Sequence, residues 1–276
     1  MTCRAATAVM ALLLAGCSSD SNDADDTFTT VKATLVDGQL VWDAGAVLRL
    51  YDADSPFFDR CQITSGAGSQ TALFTRPTGD QSHVKKAGLA AGPDAMVRLV
   101  GYTEEGLQMQ FTLPDRYGWI ELAPVPAGEA GRANCLPLWG TVTSSGGYIQ
   151  SQVHFLSGIL RIDRSRLPEG SVSLTLSTSD SGFPLAGRFA AIVSKASPEN
   201  SVLEPQADSF VYQSVVTVTL PAGSVSDESA FIPIPAGRYP VIEVACLLED
   251  QSVRSVTLKD LSFRRGEVMP LPQYPN

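Results

Sequence analysis

Cys17 is the residue whose surroundings most specify a reaction. It follows Leu14-Ala15-Gly16, a leucine three positions before it and then two small residues, at the end of the apolar run Val9-Met10-Ala11-Leu12-Leu13-Leu14. Arg4 places a positive charge ahead of that run, and Ala5 to Ala15 is apolar apart from Thr7. This is the length of an export signal's hydrophobic region and falls short of the roughly 20 residues a membrane-spanning helix needs. Lipid-modifying enzymes require a thiol nucleophile at that one position. The pattern predicts a signal peptide over 1–16 and a mature chain that begins at a lipidated Cys17. One acyl chain binds a membrane only marginally and a second signal makes the anchoring stable. Ser18, next in the chain, disfavours retention at the inner membrane and points to the outer one.

Other reactive residue types are present without the spacing that chemistry needs. Cys61, Cys135 and Cys246 remain in the mature chain besides Cys17. Three is an odd number, so at most one disulfide forms. No C-x-x-C pair or Cys/His cluster suggests zinc, and Cys246 alternates with Val244 and Leu248 as a buried small hydrophobe would. The two histidines, His83 and His154, have no G-x-S-x-G elbow to serve, since Ser65-Gly66-Ala67-Gly68-Ser69 reads as a flexible loop. His154 sits in a strand-like stretch as a structural residue, and His83 in a polar loop. Asp52-Ala53-Asp54 resembles the start of a calcium loop, but Pro56 occupies the third ligand position and the distal Glu is missing. Trp42, Trp119 and Trp139 would stack on a sugar only if the fold brought them to one exposed face; each reads more simply as a core or strand-end residue. No catalytic residue, metal ligand or cofactor site is expected, and the chain reads as a protein that makes contacts, not an enzyme.

The elements that must carry these residues are strands. Leu107, Met109, Phe111 and Leu113 alternate with Gln108, Gln110 and Thr112. The same period of two runs through Val31, Ala33 and Leu35, through Val172, Leu174 and Leu176, through Val216, Val218 and Leu220, and through Ile242, Val244, Cys246 and Leu248. One face toward a core and one toward water is the mark of antiparallel sheet. Turn dipeptides such as Asp37-Gly38, Glu105-Gly106 and Arg265-Gly266 punctuate the runs. Short helical turns are expected only in loops, for instance near Ser82–Leu89. The fold class is all-β, a sandwich or barrel architecture. Residues 17–28 hold Asp20, Asp23, Asp25 and Asp26 with no large apolar side chain before Phe28, and read as an acidic, solvated tether. Ser144-Ser145-Gly146-Gly147 is the expected boundary between two β units, 29–146 and 147–276, a long hairpin turn inside one domain being the other reading. The net charge is −9, becoming −10 once Arg4 leaves with residues 1–16. An acidic chain without a Lys/Arg cluster is a poor nucleic-acid binder.

Taken together these segments resemble the fimbrillin family, the lipoprotein pilins and anchor proteins of Bacteroidetes. Val41-Trp42-Asp43-Ala44-Gly45-Ala46 followed by Val47-Leu48-Arg49-Leu50-Tyr51 looks like the family's opening of a tryptophan, Gly-Asp and a strand, with Ala46 in place of the Asp. Leu136-Pro137-Leu138-Trp139-Gly140 looks like the ending of its first domain. Leu156-Ser157-Gly158-Ile159-Leu160-Arg161-Ile162 is similar to the strand that opens its second, and Val241 to Leu248 and Arg265-Gly266-Glu267-Val268 to its final strands. The acidic residues after Cys17 resemble a surface-export signal of such lipoproteins.

The resemblance implies two tandem transthyretin-like β-sandwiches, exposure on the outer membrane, a place in fimbriae and partners among other fimbrial subunits. In polymerising members an Arg-specific protease removes an N-terminal strand, and a C-terminal segment of another subunit replaces it. Here no arginine lies between Cys17 and Leu48, and Pro270, Pro272 and Pro275 interrupt the tail. Proline removes ladder donors. Both departures favour an anchor or accessory subunit that keeps its Val31–Val36 strand. A surface glycan-binding lipoprotein using the tryptophans is the alternative.

Overall fold

The computed structural model describes residues 30–36, 40–52, 57–76, 84, 87–92, 96–102, 106–119, 131–132, 136–145, 148–179, 184–194, 203–205, 214–221, 229–272 and 274. Cys17 with its signal and tether, Asp54, His83 and Cys135 lie outside the described residues. The described residues are almost entirely strand, so the chain is all-β.

The first layer is a closed sheet. Its strands are β1 (Thr30–Leu35), β3 (Val47–Asp52), β4 (Phe58–Ser65), β5 (Thr71–Thr75), β6 (Ala87–Gly92), β11 (Leu138–Ser145) and β12 (Tyr148–Phe155). They run in the order β1-β12-β11-β6-β3-β4-β5, and β5 pairs back onto β1. Alternation decides which side chains fill it. Val31, Ala33, Leu35, Leu48, Leu50, Ala72, Phe74, Ile149 and Val153 point inward and are buried. Lys32, Arg60, Gln62 and Gln152 lie exposed outside. An apolar interior and a polar wall are the reverse of a membrane barrel. The resemblance implied a β-sandwich here; with β1 in place, the described strands close on themselves and leave no free edge among them.

The outer wall of this sheet is covered on one side. The short strands β2 (Leu40–Val41) and β10 (Gly131–Arg132) pair with each other. Strands β7 (Val97–Tyr102), β8 (Gly106–Leu113), β15 (Gly187–Ser194) and β16 (Leu203–Pro205) form a mixed-origin sheet. Its Leu107, Met109, Phe111 and Phe189 pack on Tyr51, Leu89, Ala91 and Trp139 of the closed sheet.

A five-stranded sheet follows the order β20-β19-β14-β17-β9, built from β9 (Arg116–Gly118), β14 (Ser171–Thr178), β17 (Val215–Thr219), β19 (Gly237–Leu248) and β20 (Val253–Phe263). A three-stranded sheet of β13 (Ser157–Asp163), β18 (Ser229–Pro235) and β21 (Val268–Pro270) packs against it. Strands β13 and β18 are buried on both faces: Leu160, Ile162, Ile232 and Ile234 join the five-stranded sheet's core, while Ile159 and Phe231 join the interior of the closed sheet.

One expectation needs correction. The stretch near Ser82–Leu89 was expected to hold a helical turn, yet Ala87–Gly92 is a strand between β3 and β11. Leu89, Ala90, Ala91 and Gly92 are all buried, so the strand shows no alternation to read. The expected boundary residues 146 and 147 lie outside the described residues; on either side of them β11 and β12 pair antiparallel from Ser145↔Tyr148 to Leu138↔Phe155. Both belong to the closed sheet. Gly140 allows that pairing, because a Cβ there would collide with the carbonyl of Gln152. Strands β8 and β9, from the first half of the chain, pair with β15 and β17 from the second.

Candidate assembly surface: two seated ends and one open edge

Strand β1 begins the described chain and is held along both sides. Val31 to Leu35 pair in parallel with Ile149 to Val153, and Thr30 to Thr34 pair antiparallel with Thr75 to Thr71. Val31, Ala33 and Leu35 are 1%, 0% and 2% exposed. The indole N–H of Trp42 donates to the carbonyl of Ala33 at 3.2 Å, and the Trp42 ring meets Phe74 edge-on at 4.8 Å. Beyond the strand, the N–H of Val36 donates to the carbonyl of Val153 at 3.0 Å. Lys32, the only basic residue between Cys17 and Leu48, is exposed on the outer wall, but its backbone lies between two ladders. Arg49 sits in β3 between β4 and β6, its guanidinium carbon 4.5 Å from the centre of the Phe58 ring.

The C-terminal tail is seated too. Val268, Met269 and Pro270 pair in parallel with β13, and the N–H of Leu271 donates to the carbonyl of Arg161 at 2.7 Å. Leu271 is fully buried and Tyr274 nearly so. The Tyr274 hydroxyl donates to the carbonyl of Val244 at 3.1 Å and accepts from the Cys246 thiol at 3.3 Å. Arg166 adds a bond to the carbonyl of Leu271 at 3.3 Å while its Nε lies 3.1 Å from Asp163. Sequence reasoning saw three prolines in the tail but missed Tyr274. The signal was there, an aromatic with a hydroxyl isolated among prolines, though its partner is 30 residues away.

The residues singled out for chemistry do not converge. Trp42, Trp119 and Trp139 are 1%, 2% and 0% exposed and lie in three different hydrophobic clusters. This overturns the alternative that they form a sugar platform: each indole is a large apolar surface that these sheets bury. His154 lies near the end of β12, its ring 5.9 Å from that of Trp139. Cys61 and Cys246 are free thiols in separate cores. Burial pushes the Cys61 thiol up to about 12, with Asp59 acting in the same direction and Arg76 against it. Burial also raises Cys246, opposed by its hydrogen bonding with Tyr274 and Ser171. Asp59 and Arg76 form a largely buried ion pair at 3.7 Å. Asp52 is buried at the end of β3, where its N–H donates to the carbonyl of Phe57 at 2.9 Å. Among the described residues no group of three or more His, Cys, Asp or Glu is placed to hold a metal ion, and no helix is long and apolar enough to cross a membrane.

What the fold leaves open is strand edges. The closed sheet has none. Edges β9, β16 and β21 are three residues long. Edge β18 carries Pro233 and Pro235, which have no N–H to offer, and six of its seven residues are buried. Edge β7 has six residues with a register shift between Leu99 and Gly101. Edge β20 is different: eleven residues without proline, mostly exposed, with Val253 61% exposed.

No family model matches the chain, and no curated protein matches it. Solved structures similar to it include a candidate cell adhesion protein of Bacteroides ovatus, 8% identical with a TM-score of 0.49, the match covering 87% of this chain and 89% of that one. A candidate cell adhesion protein of Bacteroides fragilis is 10% identical with a TM-score of 0.36, covering 87% and 91%. The tip fimbrial protein Mfa3 of Porphyromonas gingivalis, truncated at its C-terminus, is 11% identical with a TM-score of 0.28, covering 83% and 80%. Overlap this loose assigns neither family nor role.

Proposed function

We propose that the chain is a surface-anchored, fimbrillin-like lipoprotein, an anchor or accessory subunit of a fimbrial or adhesive assembly. It acts by contact with other subunits through β-strands and carries out no turnover. Acyl chains on Cys17 hold it to the outer membrane, and residues 17–28 space the folded part from the lipid. In this reading the two tandem β units of the family share β12 and the sheet β7-β8-β15-β16 across the 146/147 position.

One observation carries the reading. The N-terminal strand is clamped between β5 and β12 with its inward side chains buried. A stalk subunit would have to lose that strand so that a neighbour's segment could replace it, and here its loss would open a closed sheet. The buried Leu271 and Tyr274 keep the other end from serving as a donor. The first and last described strands are both committed internally, as suits a subunit that ends or secures a fibre. The tryptophans' burial removes the ground for the glycan-binding alternative.

N-terminal mass spectrometry of the protein extracted from membranes tests this. The expected mature start is an acylated Cys17, with residues 30–36 still attached. A start well beyond Cys17 overturns it.

A further inference from the structure

We infer that the outer edge of β20, over Val253–Lys259, is a self-complementary docking strand through which two copies of this chain pair antiparallel about a two-fold axis at Val256. The inference deepens the proposed assembly role and rests on it for its setting; the geometry does not depend on lipid attachment.

The direction of the backbone groups comes from the hairpin. The N–H of Leu248 donates to the carbonyl of Ser252 at 2.9 Å. That makes 248 and 252 a hydrogen-bonded pair, and the register continues unshifted from Leu247↔Val253 to Val241↔Lys259. Bonded and non-bonded pairs alternate in an antiparallel ladder. Arg254, Val256 and Leu258 therefore bond to β19, while Val253, Ser255, Thr257 and Lys259 aim their N–H and C=O groups out of the sheet. Strand β20 is the end of the order β20-β19-β14-β17-β9, so no strand among the described residues takes them.

Natural edges are blunted by lysine, proline or local distortion. Here that protection is confined to one end. The ladder skips the pair Pro240–Asp260, and Asp260 has φ 53°. Before that point seven residues run clean, with no proline and two charges.

Those two charges decide the occupant. In a two-fold pairing centred on Val256, residues whose numbers sum to 512 stand opposite one another. Val253 then faces Lys259 of the second copy, Ser255 faces Thr257, Arg254 faces Leu258, and Val256 meets Val256. Every outward-aimed residue is matched to an outward-aimed residue, giving about eight main-chain hydrogen bonds. Neither cation faces a cation, and their aliphatic stems lie against Val253 and Leu258. The valine that is 61% exposed becomes covered. On the core side, Val256 and Leu258 already pack against the main cluster, so the two cores become neighbours across a continuous sheet. An isologous contact of this kind closes on itself and does not propagate. One strand pair is a small interface beside the roughly 1,000 Å² of a stable one. The pairing is thus concentration-dependent in solution, and tethering to one membrane raises the effective concentration.

The experiment is sedimentation velocity over a concentration series on residues 17–276 carrying Cys17→Ser, which removes the acylation site. The expected result is a monomer–dimer equilibrium. Ser255→Lys with Thr257→Lys sets lysine against lysine at two places and should abolish the dimer. Ser255→Glu with Thr257→Lys sets glutamate against lysine at the same places and should retain it. Both positions of the strand involved are exposed, and circular dichroism on each variant confirms folding. A wild-type chain that stays monomeric throughout overturns the inference. So does a dimer indifferent to the double lysine change, or one lost equally in the Glu/Lys variant. Because the protein tested has no lipid, failure here speaks to the edge, and the Cys17 start is decided separately by mass spectrometry.

Discussion

Replacing Leu35 by alanine tests whether β1 is a built-in part of the closed sheet. Leu35 is 2% exposed and shares an interior with Trp42 and Phe74. Its N–H donates to the carbonyl of Gln70 at 2.9 Å, so the backbone is held on the side away from β12 as well. The ladders on either side leave little freedom to close the space a leucine vacates. Buried Leu→Ala changes cost about 2–5 kcal/mol, more where the surroundings cannot collapse; we take about 3 kcal/mol. At about 1.4 kcal/mol per factor of ten, this is roughly a hundredfold in the opening equilibrium of the unit that contains β1. Amide hydrogen exchange reads it directly. In the wild type the amides of 31–35 should exchange as slowly as those of β12, and in Leu35→Ala both sets should speed up by about that factor. Thr34→Ala is the control: its hydroxyl meets that of Thr71 at 3.0 Å on the outer wall, and surface changes stay within about 0.5 kcal/mol. Wild-type β1 amides exchanging at free-peptide rates would refute the reasoning, as would a Leu35→Ala protein with unchanged protection.

Two further outcomes follow from the buried polar groups. Tyr274→Phe removes the bond to Val244 and the acceptor for the Cys246 thiol. It should cost about 1–2 kcal/mol, seen as a melting midpoint lower by about 3–6 °C; an unchanged midpoint would show that the tail is not seated. Cys61 should resist thiol reagents at pH 8 in a Cys17→Ser, Cys135→Ser background until denaturant is added. Its folded value, about 12, lies above the ordinary thiol value of 9.0. The unfolded chain therefore loses the proton first, and the stability Cys61 contributes is complete below pH 9 and is lost as pH rises toward 12. In chemical denaturation the stability difference between wild type and Cys61→Ala should be constant below pH 9 and fall, in the direction unfavourable to wild type, across that window.

How much of this was legible depended on whether a strand shows one face to water. Val31–Leu35, Val216–Leu220 and Ile242–Leu248 do, and each lies where its alternation placed it; Leu107–Leu113 also forms its strand, with Gln110 of its polar face buried. Ala87–Gly92 does not, because the interior of the closed sheet takes one face and the cover sheet the other. Val172 reads as a core residue, but a register shift between Ser171 and Ser173 leaves it half-exposed. Ser144-Ser145-Gly146-Gly147 was ambiguous for a chemical reason: a linker and a hairpin connection both ask for small, flexible residues. The pairing of β8 with β15 and β9 with β17 joins residues far apart in sequence, and nothing local announces it. Of the candidate assembly surface, the strand at Val31–Leu35 and the prolines of the tail were readable. The seat of Tyr274 was not, because hydrogen-bond partners across a sheet leave no spacing signal.

The fate of the chain's ends constrains where another subunit can bind. A strand lent or borrowed at either end must first leave its own sheet. At β1 that exposes Val31, Ala33 and Leu35 together with the interior they close. At the tail it exposes Leu271 and strands the Tyr274 and Cys246 dipoles. Each departure costs several kcal/mol before any partner is gained. The β20 edge needs no such departure. Its outward N–H and C=O groups are bonded to water in the monomer, and pairing exchanges those bonds for protein ones while covering Val253. Strand exchange yields long-lived polymers because undoing it is as costly as making it. Edge addition yields contacts that form and part with concentration. A chain whose first and last described strands are both held in its own sheets can add neighbours by the second route without unfolding any of itself.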